Sequence, residues 1–530
     1  MGFGVCRPAC RACFRLVTTR HVVVKDGGML RPSLLSGTAW NLLGLVVPLF
    51  VAVIAIPWLM ALLGLERFGF LALVWALVGY ASVLDLGIGK TLIRLLSQRL
   101  GERDREGALA LATLAAQLLT LIGLTLALAL ALVSGTVLNH AGVWSSLPTD
   151  EVPGALAWVA AILPLVLLNS AQVSVLSAFQ DFRRLNLLRA MLSTLTYLAP
   201  LMLAFNGATD LRAVVGSLLA VRLAGLLAYG WVCWRDYGWL PRPGGWSRER
   251  LTSLMAVGRW MFIANLAGPL MTYLDRFVVG LQLPLRDVAV YAAPGEIPNR
   301  LLMVPYALLA AMFPRVAAAG ADATELRRVL GQSVRWLCAL MTPLVLVGVA
   351  FAMPAMTAWL GSDHGPRAGV VLQVLLAGLW LSSLSMGPVT VVQAAGDLRH
   401  IALFYLVQVP LLLTLLWGLT GPLGIVGAAL AVALRQGVDT VGMLWLAVRQ
   451  VGLPPGRWGR FALGLLGSAA VLLMAAMARG WAEAALAALA GLVACGVLGG
   501  WLWVEPDERR RLLHGAGQRW RRTGEPPAAG

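Results

Sequence analysis

Runs of apolar residues about as long as a bilayer core is thick, separated by short polar stretches, recur along nearly the whole chain. In order they fall at about 38–63, 68–89, 109–134, 154–178, 190–206, 213–234, 260–281, 288–314, 336–359, 368–394, 401–418, 424–448, 461–478 and 483–504. Each is near or above the ~20 residues a helix needs to cross about 30 Å of hydrocarbon. In lipid, a helix satisfies its own backbone hydrogen bonds, which an open strand cannot do. The pattern therefore predicts an all-α polytopic membrane protein with about fourteen transmembrane helices.

Composition agrees. The chain is 59% hydrophobic and only 13% charged, against roughly 25% charged residues in soluble domains. Its net charge of +17 would suggest nucleic acid in a soluble protein, but its placement points elsewhere. When the connections are numbered alternately from the N-terminus, the two tails and the even loops carry 33 of the 42 Lys and Arg residues. The odd loops carry only Arg67, Arg212, Arg286, Arg367 and Arg479. By the positive-inside rule both termini and all even loops are cytoplasmic, so the excess charge is topological and no nucleic-acid partner is expected.

The segments also repeat. Pro48 matches Pro269 and Phe70 matches Tyr291 at a common offset of 221, and "LLAVRLAG" matches "AVALRQGV", placing Arg222 against Arg435. This predicts two pseudo-symmetric six-helix lobes, 36–234 and 259–450, joined by a cytoplasmic linker at 235–258. Two further helices follow at 451–504, with basic cytoplasmic tails at 1–35 and 505–530. Repeats of an even number of helices are parallel, related by an axis along the membrane normal, and their interface is where a transporter holds its substrate. Pro48, Pro57 and Pro269 punctuate the first and seventh segments and are candidate hinges.

"DLGIGKTLIR", residues 85–94, ends like a nucleotide-binding loop. The first glycine of that pattern belongs at position 84, which is Leu84, and neither a strand nor a soluble sheet is expected around it. The helix-packing reading is preferred: Gly87 and Gly89 permit close helix contact, and Lys90 and Arg94 reach an anionic inner surface. "CRPACRAC", residues 6–13, has a spacing that suits an iron–sulfur cluster or, with His21, zinc. In a basic tail with no catalytic domain behind it, it is read as incidental. No metal and no cofactor are expected, and Met29 is an alternative start.

Charges inside apolar segments carry the functional signal, because each is costly unless it faces water or a partner. Arg222, Arg300 and Arg435, with Arg276, are the candidate anion-binding residues; Asp85, Asp275 and Glu296 are candidates for ion pairing or coupling. Glu296 and Arg300, four apart on one helix face, are expected to neutralise each other. Arg222 and Arg435 read as unpaired by local sequence. Arginine's planar fork suits phosphate oxygens.

"LGLERFGFLAL" leading to "LDLGIGKTLIR", "LSAFQDFRRLNLLRA", "GRWMFIANLAGPLMTYLDRFVVG" and "RLLMVPYALLAAMFPR" together resemble bacterial oligosaccharide flippases of the Wzx type, in the polysaccharide-transporter branch of the MOP superfamily. The resemblance covers much of 36–320, with weaker similarity to about 450. It implies a transporter, not an enzyme, in the bacterial inner membrane. Such a protein moves an undecaprenyl-pyrophosphate-linked oligosaccharide to the periplasmic leaflet for O-antigen, capsule or exopolysaccharide assembly, alongside a polysaccharide polymerase and other assembly proteins. The alternatives are a peptidoglycan-precursor flippase, a drug or cation antiporter, a membrane glycosyltransferase or ligase, and a non-transporting scaffold. A cation exporter should carry more unpaired carboxylates than arginines within its spans. A glycosyltransferase should carry a large external loop, and the longest here is 135–154.

Overall fold

The computed structural model describes residues 34–81, 87–140, 147–148, 150–241, 247–248, 252, 259–319, 322–452 and 458–498. Asp85, the cysteine-bearing N-tail and the C-tail lie outside these residues. The elements are α1 (Leu34–Leu63), α2 (Leu65–Ala81), α3 (Ile88–Gly101), α4 (Arg105–His140), α5 (Glu151–Ala178), α6 (Phe182–Phe205) and α7 (Leu211–Tyr237). They continue with α8 (Arg259–Gln282), α9 (Leu285–Leu301), α10 (Met303–Ala319), α11 (Ala323–Ala394), α12 (Leu398–Val451), α13 (Trp458–Ala475) and α14 (Trp481–Leu498). Among the described residues there is no strand. Six helices, α4 to α7, α11 and α12, are long and apolar enough to cross a membrane. Outward-facing Leu132 and Met477, 72% and 78% exposed, fit a lipid-facing surface. The protein is an all-helical, multi-pass membrane protein.

The helices begin where sequence supplies an oxygen for their unpaired N–H groups. Asp181, Asp210, Asp322 and Asp397 accept from the backbone N–H of Arg184, Ala213, Thr324 and His400. Burial works to raise Asp397, but hydrogen bonds from the ring and backbone of His400 and from Gln450 outweigh it. They hold the carboxyl below its ordinary range.

As a straight rod, the 72 residues of α11 would run about 108 Å at 1.5 Å per residue, far beyond any bilayer. The helix instead folds back at Gly361, whose φ of 81° favours glycine. Pairs symmetric about the turn confirm a hairpin: Gln373 Nε2 donates to the Val349 carbonyl at 3.3 Å and Trp380 Nε1 to Thr342 Oγ1 at 3.0 Å. α12 turns in the same way at Gly424, φ 60°, bringing Gln408 within 2.8 Å of Asp439.

Two apolar runs read as single segments are divided instead. The second becomes α2 and α3, with Gly87 in the left-handed region at φ 72°. The eighth is divided into α9 and α10 at Leu302, which keeps helical dihedrals and still donates to the Pro298 carbonyl at 3.2 Å. Pro294 and Pro298 remove donors late in α9, and Pro305 sits in the first turn of α10, where a missing N–H costs least. The candidate hinges Pro48 and Pro57 lie inside an unbroken α1, and α8 runs as one helix through Pro269.

The halves before and after the 242–258 region share a core at the Arg67 end. Buried Leu59, Phe68, Phe70, Leu71, Leu285 and Val288 belong to one continuous apolar cluster, and Trp359 Nε1 donates to the Val53 carbonyl at 2.7 Å. At the opposite end, around Lys90, a separate cluster joins Leu92, Leu96, Leu111, Val175 and Trp239, and every side chain in it comes from the first half. The halves thus close on each other at the Arg67 end, while the first half packs on itself at the Lys90 end.

Candidate functional site

Where the two halves meet, α2 is clasped from both sides. Trp75 of α2 packs edge-on against Tyr197 of α6, ring centroids 5.0 Å apart. One turn along α2, Gly79 leaves room for Tyr273 of α8, whose hydroxyl stands 3.0 Å from where a Cβ would be. α9 completes the junction: Arg300 of α9 and Arg222 of α7 both lie within electrostatic reach of Tyr197.

The charges around it are sorted by geometry rather than by helix spacing. Glu296 pairs with Arg276 Nη2 at 2.9 Å, not with Arg300, so the expected Glu296–Arg300 neutralisation is overturned. Arg276 comes from α8 and meets Glu296 broadside, while Arg300, one turn on, points across to the first half. Asp275 turns away from its neighbour's guanidinium. Its Oδ1 accepts from the Arg276 backbone N–H at 2.8 Å and its Oδ2 from the Tyr291 hydroxyl at 2.5 Å. Both carboxylates of the junction are therefore occupied. Among the described residues, neither Arg222 nor Arg300 forms an ion pair with a carboxylate. These two are the cations free to meet an anion.

Arg435 stands apart from them. It is buried within the second half, where Nη1 donates to Gln408 Oε1 at 3.0 Å and lies 3.7 Å from Met271 Sδ. Gln408 passes the bond on to Asp439. Asp439, four residues beyond Arg435 on the same arm of α12, is the partner that the reading of Arg435 as locally unpaired overlooks. Arg435 and Asp439 are 9% and 6% exposed, so removing one partner strands a buried charge. Asp439→Leu is expected to cost about 3–5 kcal/mol, and adding Arg435→Met to recover most of it. Thermal unfolding in detergent micelles checks both, and equal loss in the single and double variants would contradict the pairing.

Lys90 and Arg94 are exposed on α3. The Gly89 carbonyl accepts from Ser174 Oγ at 3.2 Å, so this stretch seats α3 on α5, and the nucleotide-loop reading has no structural setting. Among the described residues no His, Cys, Asp and Glu cluster could hold a metal. A cavity of about 450 Å³ opens at the Arg67 end, beside Glu66, Arg286 and Leu147. Its Arg67 is already bonded to Glu151 at 2.7 and 3.1 Å.

Tyr197, Trp75, Tyr273, Gln408 and Asp439 are the site residues that sequence reasoning did not single out. Only Asp439 carried a local signal, its spacing from Arg435.

A family profile described as polysaccharide biosynthesis protein matches residues 34–319. A putative O-antigen transporter of Shigella flexneri is 27% identical over 420 residues, covering 79% of this chain and 98% of its own. Among solved structures, the lipid II flippase MurJ in an inward closed conformation superposes with a TM-score of 0.65 at 14% identity, over 88% of this chain and 98% of its own. An inward-facing multidrug resistance MATE family transporter of the MOP superfamily gives 0.63 at 16% identity, over 77% and 98%. At such identities the structural likenesses establish the fold.

Proposed function

We propose, from the premise that this chain belongs to the polysaccharide biosynthesis protein family, that it is an inner-membrane flippase for undecaprenyl-pyrophosphate-linked oligosaccharide. It carries that lipid from the cytoplasmic to the periplasmic leaflet for O-antigen, capsule or exopolysaccharide assembly. It is a transporter, not an enzyme, built from fourteen membrane crossings. The lobes are 36–234 and 259–450, the connection 235–258 and both tails are cytoplasmic, and the helices of 451–504 are an addition.

The observation that carries the reading is the meeting of Arg300 from the second half and Arg222 from the first at Tyr197, where Asp275 and Glu296 are already bonded to other groups. A diphosphate cannot enter hydrocarbon unaided, because moving an unpaired ion out of water costs tens of kcal/mol. A polar junction bearing guanidinium forks substitutes for water, while the polyprenyl tail stays in lipid. Alternation then parts the halves at the Arg67 end, where they share their core. Asp275 and Glu296 are the candidates to change protonation or partner during that exchange, and Arg276 would join the phosphate when Glu296 releases it. Among the described residues the junction charges without a carboxylate or hydroxyl partner are arginines, which favours an anionic substrate over the cation of a drug exporter.

Complementation tests the proposal. A strain lacking its own O-antigen flippase should regain surface polysaccharide when it expresses this chain together with the enzymes that build its cognate glycan. If the glycan stays on the cytoplasmic leaflet although the protein is folded in the membrane, the proposal is wrong.

A further inference from the structure

Beside the two arginines lie three aromatic side chains that a diphosphate would not use. Tyr197 lies within electrostatic reach of Arg300 and is edged by Trp75. Trp75 is only partly buried, although its ring also meets Phe68 at 5.9 Å. Its indole Nε1–H is shut off from bulk solvent with no hydrogen-bond partner, and a buried unpaired donor is costly to a fold. Tyr273, from the other half, reaches Gly79 one turn from Trp75, with its ring 5.8 Å from the Arg276 guanidinium carbon. Trp75 and Gly79, four residues apart, share one face of α2.

We propose that Trp75, Tyr197 and Tyr273 form a subsite for the first sugar of the lipid-linked glycan. The inference rests on the flippase reading and specifies which part of the substrate the junction recognises. In a polyprenyl diphosphate glycan, the sugar bonded to the diphosphate lies one residue away from the group held by Arg222 and Arg300. A pyranose presents an apolar C–H face to an aromatic ring and hydroxyl or acetamido oxygens around its rim. Trp75 supplies both complements, a ring and a donor waiting for an acceptor. A site for diphosphate alone has no use for either. A site for aromatic cations would not surround the rings with Arg222, Arg276 and Arg300. Stacking tolerates many pyranoses, so the subsite anchors the first sugar, and the rest of the glycan extends beyond it.

The test compares binding of farnesyl pyrophosphate with binding of the same lipid carrying one glucose, galactose or N-acetylglucosamine, using full-length protein in lipid nanodiscs. Wild type is expected to bind at least one sugar-bearing lipid about tenfold more tightly than the bare one, an increment of about 1.4 kcal/mol. Trp75→Phe, which keeps a ring and removes the donor, should reduce that ratio about fivefold, and Trp75→Leu should abolish it. Arg300→Lys should weaken both ligands and preserve the ratio. A wild type that binds bare and sugar-bearing lipids equally overturns the subsite and leaves the flippase reading standing. A ratio unmoved in Trp75→Leu also overturns the subsite. A wild type that binds none of the lipids overturns both.

Discussion

Arg300→Glu abolishes surface polysaccharide in the complemented strain while the protein still inserts and folds. The substitution replaces a cation beside Tyr197 with an anion, placed one turn from Glu296. The diphosphate then meets repulsion where it met a charge-assisted hydrogen bond. Losing a buried charged partner costs about 2–5 kcal/mol, so export should fall on the order of a hundredfold or more. Arg300→Lys keeps the charge but loses the bidentate fork, and should fall between the two. Arg222→Glu should reproduce the defect, because Arg222 approaches the same Tyr197 from the first half. Normal export by both glutamate variants would remove the arginines from the substrate path.

Gly69→Leu destabilises the protein by about 3 kcal/mol or more, at the upper end of what overpacking costs. A Cβ at position 69 would stand 2.1 Å from the Leu285 carbonyl oxygen and 2.8 Å from its carbon. Those atoms are backbone at the start of α9 and cannot swing aside as a side chain would. α2 and α9 must therefore separate where the two halves share their core. Gly101→Ala is the control: nothing lies within 4 Å of its added Cβ, and replacing a helical glycine should be neutral or stabilise by up to about 1 kcal/mol. Thermal unfolding in nanodiscs separates the two. A Gly69→Leu protein that melts with wild type would contradict the close approach of α2 and α9.

Much of the fold was legible because hydrocarbon imposes a length on every crossing. The turns at Gly361 and Gly424 fall between apolar runs that had been read as separate segments. The left-handed turn at Gly87 in the second segment and the division of the eighth at Leu302 were not legible from hydropathy, since neither changes the apolar average. Pro294, Pro298 and Pro305 were visible signals for the division at Leu302. The resemblance carried by "GRWMFIANLAGPLMTYLDRFVVG" and its companions is borne out by the family match over 34–319.

The site was legible as a set of buried charges, and its pairings were not. Helix spacing suggested Glu296 with Arg300, but tertiary packing gave Glu296 to Arg276 from another helix. The same spacing rule was sound for Arg435 and Asp439, where Gln408 from the other arm of the hairpin links the two. Tyr197 and Trp75 carry no charge, so nothing in an apolar run marked them. Their importance arises only when α2, α6 and α9 converge.

The most direct measurement is translocation of a fluorescent undecaprenyl-pyrophosphate oligosaccharide across proteoliposomes containing the purified protein, with and without an imposed proton or sodium gradient. Leaflet position is read by membrane-impermeant quenching. The account predicts movement by wild type that disappears in Arg300→Glu and Arg222→Glu. Folded wild-type protein that moves none of several glycans under any gradient would contradict it.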